Sequence, residues 1–153
     1  MGRVLAELSE WIAGLVAANE RCLLGLAGPP GCGKSTVAGQ IAESYGDDAV
    51  LVPMDGFHLA QEVLDRAGTA SRKGAPFTFD GAGFVALLHR IRAMQPGATV
   101  YAPRFDRAIE NPIAGAIPIT AAHRLVVIEG NYLLLDEPPW DEVRELVAER
   151  IEA

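Results

Sequence analysis

A chain of 153 residues, half of them hydrophobic, is long enough for one domain with a sizeable core and too short for two independent ones. Its 20 acidic side chains against 13 basic ones leave a net charge of −7, which argues against nucleic acid or an anionic membrane as the main partner. The two cysteines, Cys22 and Cys32, form neither a disulfide framework nor a zinc pattern. No apolar run reaches membrane-spanning length, Arg3, Glu7 and Glu10 interrupt the N-terminal segment, and Ala6 stands where myristoylation needs Ser or Thr, so the expectation is a cytoplasmic protein.

In chain order, Leu5, Leu8, Ile12, Leu15 and Val16 share one helical face and predict an amphipathic helix over 4–19. An apolar strand over 22–27 leads into Gly28-Pro29-Pro30-Gly31-Cys32-Gly33-Lys34-Ser35-Thr36, and a helix runs from there to Tyr45. A second strand, 49–53, delivers Met54-Asp55-Gly56-Phe57-His58 to its C-terminal end, the edge where parallel open sheets collect ligands. Residues 56–80 read as a substrate-side insertion. Its later part, 68–80, is too rich in glycine, proline and charge for a core. Phe84, Leu87, Leu88 and Ile91 mark another helix, closed by Pro96-Gly97, and residues 99–120 hold a short strand, a polar loop and the second strand of an accessory hairpin. The near-continuous apolar run 125–128 predicts a strand buried on both faces, ending in Glu129-Gly130-Asn131-Tyr132. Pro138-Pro139 opens a final predicted helix, with Trp140, Val143, Leu146, Val147 and Ile151 at helical spacing.

The loop after the first strand fits G-x-x-x-x-G-K-[ST] at every position, between a strand and a helix as the motif requires. Gly28, Gly31 and Gly33 let the backbone bend close to an anion, so that loop amides, with Cys32 and Thr36 contributing backbone, face phosphate oxygens. Lys34 reaches the β- and γ-phosphates and Ser35 supplies a hydroxyl for Mg²⁺, which makes ATP and Mg²⁺ the expected cofactors. Asp55 at a strand end fits a catalytic carboxylate better than a helix cap. Glu129, after the buried run, fits contact with metal or water. His89 and His123 lack metal-ligand spacing and read as structural.

The loop together with Asp55-Gly56-Phe57-His58, Phe79-Asp80, Pro103-Arg104-Phe105-Asp106-Arg107 and Val127-Ile128-Glu129-Gly130-Asn131-Tyr132 resembles the P-loop kinase superfamily of uridine kinase, phosphoribulokinase and pantothenate kinase. Arg72-Lys73-Gly74-Ala75-Pro76 and Gly130-Asn131-Tyr132-Leu133-Leu134 look most like a bacterial nucleoside/nucleotide kinase-like and sugar-transport kinase group. The resemblance runs from about Cys22 to Trp140. It implies a three-layer α/β/α domain on a mostly parallel sheet, with Asp55 as base for the acceptor hydroxyl and a metal organiser, and Glu129 near the metal. It also implies an acceptor site that draws on His58, Arg72, Lys73, Phe79, Asp80, Arg104 and Arg107. The implied activity is ATP- and Mg²⁺-dependent transfer of phosphate to a hydroxyl of a small metabolite such as a nucleoside, a sugar or a pantothenate-like compound.

Two departures shape the expectations. Phe105-Asp106-Arg107 stands where uridine kinases carry Tyr-Asp-Phe and then a histidine, which weakens uridine as acceptor. Related kinases also continue into further strands and an arginine-bearing lid, so the strand at 22–27 is expected to have an open side, covered by the final helix, by a second copy of the chain, or by sequence beyond this piece. A nucleotide-binding or regulatory triphosphatase, or a shortened paralogue with little transfer activity, is the alternative reading.

Overall fold

The computed structural model describes residues 2–147 and 149–152, with side chains described over 6–147. Its centre is a four-stranded sheet in the order β2-β5-β1-β6, formed by β1 (Cys22–Ala27), β2 (Ala49–Pro53), β5 (Leu125–Gly130) and β6 (Glu149–Glu152). All three pairings are parallel. β1 and β5 are buried at every position, as their unbroken apolar composition requires of strands covered on both faces.

Alternate strand residues feed two cores. On one face α1 (Gly2–Ala18) and α2 (Lys34–Tyr45) bring Ile12, Val16, Ala38 and Ile41 onto Cys22, Leu24, Leu26, Leu125 and Val127. On the other, α4 (Gly81–Arg92) and the C-terminal segment bring Phe84, Leu88, Ile91, Trp140 and Val143 onto Leu23, Val126 and Ile128. Full burial of side chains such as Phe84 or Leu24 stabilises the fold by about 1.5–3 kcal/mol each. α4 starts where Asp80 caps it, the carboxylate accepting a hydrogen bond from Gly83 N at 2.8 Å. No helix among the described residues is long and apolar enough to cross a membrane.

A separate two-stranded antiparallel sheet, β3 (Thr99–Asp106) with β4 (Asn111–Thr120), stands beside the C-terminal edge of β2. β3 therefore extends through Arg104 and Phe105, which the sequence pattern left in a polar loop. The segment 68–80 is also more than a surface loop, because Thr78 and Phe79 at its end are buried. The Thr78 hydroxyl donates to Ala75 O at 2.7 Å and accepts from Gly74 N at 3.0 Å, which folds the segment onto itself.

The C-terminus departs from expectation. In place of one helix to Ile151, a single turn at Trp140–Glu142 and the short α5 (Val143–Leu146) give way to extended backbone at Val147, and the chain becomes β6. β6 pairs with β1 from Leu24↔Glu149 to Ala27↔Glu152, so the expected open side of β1 is occupied. The free N–H and C=O groups of β1 offer hydrogen bonds that an isolated helical turn cannot match, and tertiary pairing overrides helical spacing. With β6 in place, that side of β1 needs no second copy of the chain to cover it.

Candidate active site

β1 emerges at the C-terminal edge of the sheet into residues 28–33, where Gly31 (φ 78°) and Gly33 (φ 92°) adopt left-handed backbone. A Cβ at either would meet nothing within 4 Å, so conformation and not crowding demands glycine there. Cys32 N donates to Pro29 O at 3.4 Å and closes the loop, and Cys32 itself is exposed. α2 begins with Gly33 at its cap position, no side chain capping it, and its first backbone bond runs from Val37 N to Gly33 O at 3.1 Å. The amides of the first turn are thus presented to the loop's concavity without a capping oxygen, the arrangement that seats an anion. Lys34 is only 8 % exposed, a buried cation beside Glu129.

The carboxylates come from strand ends held in register, since Glu129 of β5 pairs with Pro53 of β2 and with Leu26 of β1. Asp55 sits two residues beyond Pro53, in a tight turn over Met54–Phe57. Ser35, Pro53, Asp55, Arg104, Phe105, Arg107 and Glu129 line one cleft of about 210 Å³. Burial pushes the Glu129 carboxyl above its ordinary range; the Lys34 ammonium opposes that shift, the Asp55 charge adds to it, and a hydrogen bond with Ser35 works against it. Arg107 Nη2 stands 3.8 Å from Asp55 Oδ2, a loose pair whose guanidinium is 82 % exposed. Among the described residues no three His, Cys, Asp or Glu side chains converge as a metal cage. One hydroxyl and two carboxylates are nevertheless hard oxygen donors of the kind Mg²⁺ takes when phosphate and water complete its shell, so Ser35, Asp55 and Glu129 fit that ion.

The hairpin reaches this cleft because Gly56 has no side chain. A Cβ there would lie 2.3 Å from Pro103 O and 2.7 Å from Pro103 C, so glycine permits β3 to lie against the Asp55 turn. The hairpin tip is tied down by Lys73, whose ammonium donates to Gln61 Oε1 at 3.0 Å and Glu110 O at 2.9 Å. The same ammonium meets Glu110 Oε2 at 3.3 Å and lies 5.2 Å from the centre of the Phe105 ring. Gln61 N donates to Asn111 Oδ1 at 2.8 Å from the helix start of α3 (Gln61–Ala67).

The residues expected at the acceptor site therefore divide. Arg104 and Arg107 join Asp55, while Lys73 is spent on the hairpin tip. His58 packs between Phe79 and Phe105, ring centres 4.0 and 4.9 Å away, with Nδ1 2.8 Å from Asp55 O. Phe79 is buried against Tyr132 and Trp140. Arg72, Phe79 and Asp80 line a different cleft, of about 600 Å³, with Phe77 and Trp140; there Arg72 lies over the Phe77 ring at 5.2 Å and Asp80 is engaged in capping α4. Sequence reasoning missed Gly56 as a packing site, the Glu110 partner of Lys73, and Tyr132, whose hydroxyl donates to Gly74 O. The aromatic after Gly130-Asn131 was the one visible sign of the last contact.

The profile of the Phosphoribulokinase / Uridine kinase family matches residues 23–151. A "putative uridine kinase" of Schizosaccharomyces pombe is 39% identical over 141 residues, covering 86% of this chain and 60% of that protein. The uncharacterised protein YggC of Escherichia coli is 36% identical over 143 residues, covering 89% of this chain and 58% of that protein. The chain thus spans under two thirds of the length of these curated relatives. Among solved structures, a "putative fructose transport system kinase" from Silicibacter sp. TM1040 superposes with a TM-score of 0.82 at 38% identity, over 95% of this chain and 73% of that one.

Proposed function

We propose, for a chain that belongs to the phosphoribulokinase/uridine kinase family, that it transfers the γ-phosphate of ATP to a hydroxyl of a small metabolite. The observation that carries this reading is the meeting of Asp55, Ser35 and Glu129 in one cleft beside a phosphate loop whose lysine is already buried. In the proposed reaction the acceptor oxygen forms a bond to the γ-phosphorus, the bond to the bridging oxygen breaks, ADP leaves, and the hydroxyl proton passes to the Asp55 carboxylate. Such a transfer depends on positioning and charge neutralisation more than on covalent help from the protein. The loop amides and Lys34 hold the phosphates, and Lys34 balances charge that gathers on the leaving oxygens. Mg²⁺, where bound with the nucleotide, would be held by Ser35, Asp55 and Glu129 and would neutralise phosphate charge. His58 orients the Asp55 turn through its ring nitrogen. The names of relatives suggest nucleoside or sugar hydroxyls as acceptors, and a reducing cytoplasm suits the exposed thiol of Cys32 beside the phosphate seat.

The experiment is ADP release measured with and without candidate acceptors, in the presence of ATP and Mg²⁺. Release that depends on an acceptor supports the kinase reading. Release that no acceptor changes supports a triphosphatase and overturns it.

A further inference from the structure

We propose that the N-terminal edge of the central sheet, at the opposite end from the phosphate loop, carries a second anion site, in which Arg21 and Arg92 bind a phosphate group, free or as a small monoester. The site lies outside the proposed phosphotransfer chemistry and does not depend on it.

A cavity of about 270 Å³ opens between the link from α1 to β1 and the end of α4, with Leu23 of β1 in its wall. Arg21 lines it from the link, part-buried, with Nε donating to His123 O at 3.3 Å and Nη1 to Ile91 O at 3.2 Å. Arg92 lines it from α4, with Nη1 donating to Leu146 O at 2.8 Å and Glu145 O at 3.2 Å. These bonds fix both guanidinium groups in place. They leave Nη2 of each, and Nε of Arg92, without a partner among the described residues.

Backbone carbonyls orient a guanidinium without cancelling its charge. Arg66, Arg107 and Arg144 each stand 3.6–3.8 Å from a carboxylate oxygen, whereas no carboxylate pairs with Arg21 or Arg92 among the described residues. Arg124 adds a third positive charge beside the same link, its Nη2 donating to Val16 O at 2.8 Å and Asn19 O at 3.3 Å. The uncancelled charge is felt nearby: after burial, Arg21 is the next cause that holds the His123 imidazole below its ordinary range. Glu20, exposed and without a hydrogen bond or ion pair among the described residues, is the single acid on the cavity wall. Two prepositioned guanidinium groups call for an anion with more than one charge and with oxygens pointing in separate directions, which a tetrahedral phosphate offers and a carboxylate does not. Because the arginines are anchored before β5, at the end of α4 and at the end of α5, a bound phosphate would tie these three elements together and stabilise the folded chain.

The test uses the full chain saturated with ADP and Mg²⁺, which fills the phosphate loop. Backbone amides are followed by NMR during titration with inorganic phosphate, glycerol 3-phosphate and glycerol at constant ionic strength. Both phosphates should shift the amides of Arg21, Leu23 and Met94, and glycerol should not. The His123 ring should titrate at higher pH with phosphate bound, as the anion offsets the Arg21 charge. Arg21→Gln and Arg92→Gln should each weaken binding about tenfold, the scale of one charge-assisted contact. Glu20→Gln should strengthen it, and Arg66→Gln, which removes a positive charge from α3, should leave it unchanged. Arg92 and Glu20 are exposed, so their variants keep the test decisive if Arg21→Gln fails to fold. Tighter binding of glycerol 3-phosphate than of phosphate would identify a monoester as the ligand, and the reverse the free anion. Shifts confined to residues 28–36 or to the hairpin, shifts that survive both arginine substitutions, weaker binding by Glu20→Gln, or no shift at all would each overturn the proposal.

Discussion

In the proposed reaction Lys34 and Asp55 carry separable parts of the chemistry, and their substitutions should fail differently. Lys34→Ala removes a buried cation aimed at phosphate, so nucleotide affinity and turnover should both collapse; unchanged acceptor-dependent turnover would contradict its place in the phosphate seat. Asp55→Asn keeps shape and loses basicity. It should hold ATP affinity in equilibrium binding while lowering transfer about 10²–10⁴-fold, the usual scale of a lost general base. His123 gives a prediction on pH and stability. Thr120 N donates to its Nδ1 at 2.9 Å, which requires that nitrogen unprotonated. Burial first, then the Arg21 charge, hold the imidazole below its ordinary pKa of 6.5, with Asp47 opposing. Since the folded state binds its proton less readily than the unfolded chain, the stabilisation is complete above about pH 6.5 and declines as pH falls below it. Urea melts between pH 7.5 and 5.5 should show wild type losing stability that His123→Gln does not lose, and equal losses would contradict the assignment.

At the level of elements, the β3–β4 hairpin supplies the acceptor side in the proposed reaction. Gly56→Ala should force the Pro103 backbone away, costing about 1–3 kcal/mol of stability as overpacking does, and should raise the acceptor KM because Arg104 and Arg107 move with the arm. Lys73→Met tests the latch at the other end. Its ion pair is partly exposed, so stability should fall by no more than about 1 kcal/mol, while acceptor KM rises and Lys73→Arg recovers part of it. A fall in stability with unchanged KM would make Lys73 a purely structural tie. These devices mark the limit of reading the chain by itself. The phosphate loop was legible because its residues are consecutive, and Asp55 and Glu129 were legible because each ends an apolar strand. The Lys73–Glu110 contact joins residues 37 apart without periodic signal, and no pattern distinguishes a glycine that admits a neighbouring strand from one that only turns.

Across the whole molecule, the sheet places every proposed catalytic group at one edge, with β1 and β5 central and β6 closing the side of β1 that sequence spacing left open. The miss has a physical origin: Val143, Leu146, Val147 and Ile151 fit a helical face, and only the presence of an unpaired β1 makes extended backbone the better use of residues 149–152. Ending the chain after Val147 should therefore expose β1, lower the urea midpoint and produce oligomers in light scattering; a monomer of unchanged stability would show that β6 contributes little. The central claim is that these groups together move phosphate from ATP to a hydroxyl. Its most direct measurement is ³¹P NMR of the full chain with ATP, Mg²⁺ and an acceptor panel that includes gluconate and ribose 5-phosphate. A phosphate-ester resonance on the acceptor should grow as the γ-phosphate signal declines, and should be lost in Asp55→Asn. Conversion of γ-phosphate to inorganic phosphate alone, with every acceptor unmodified, would contradict the account.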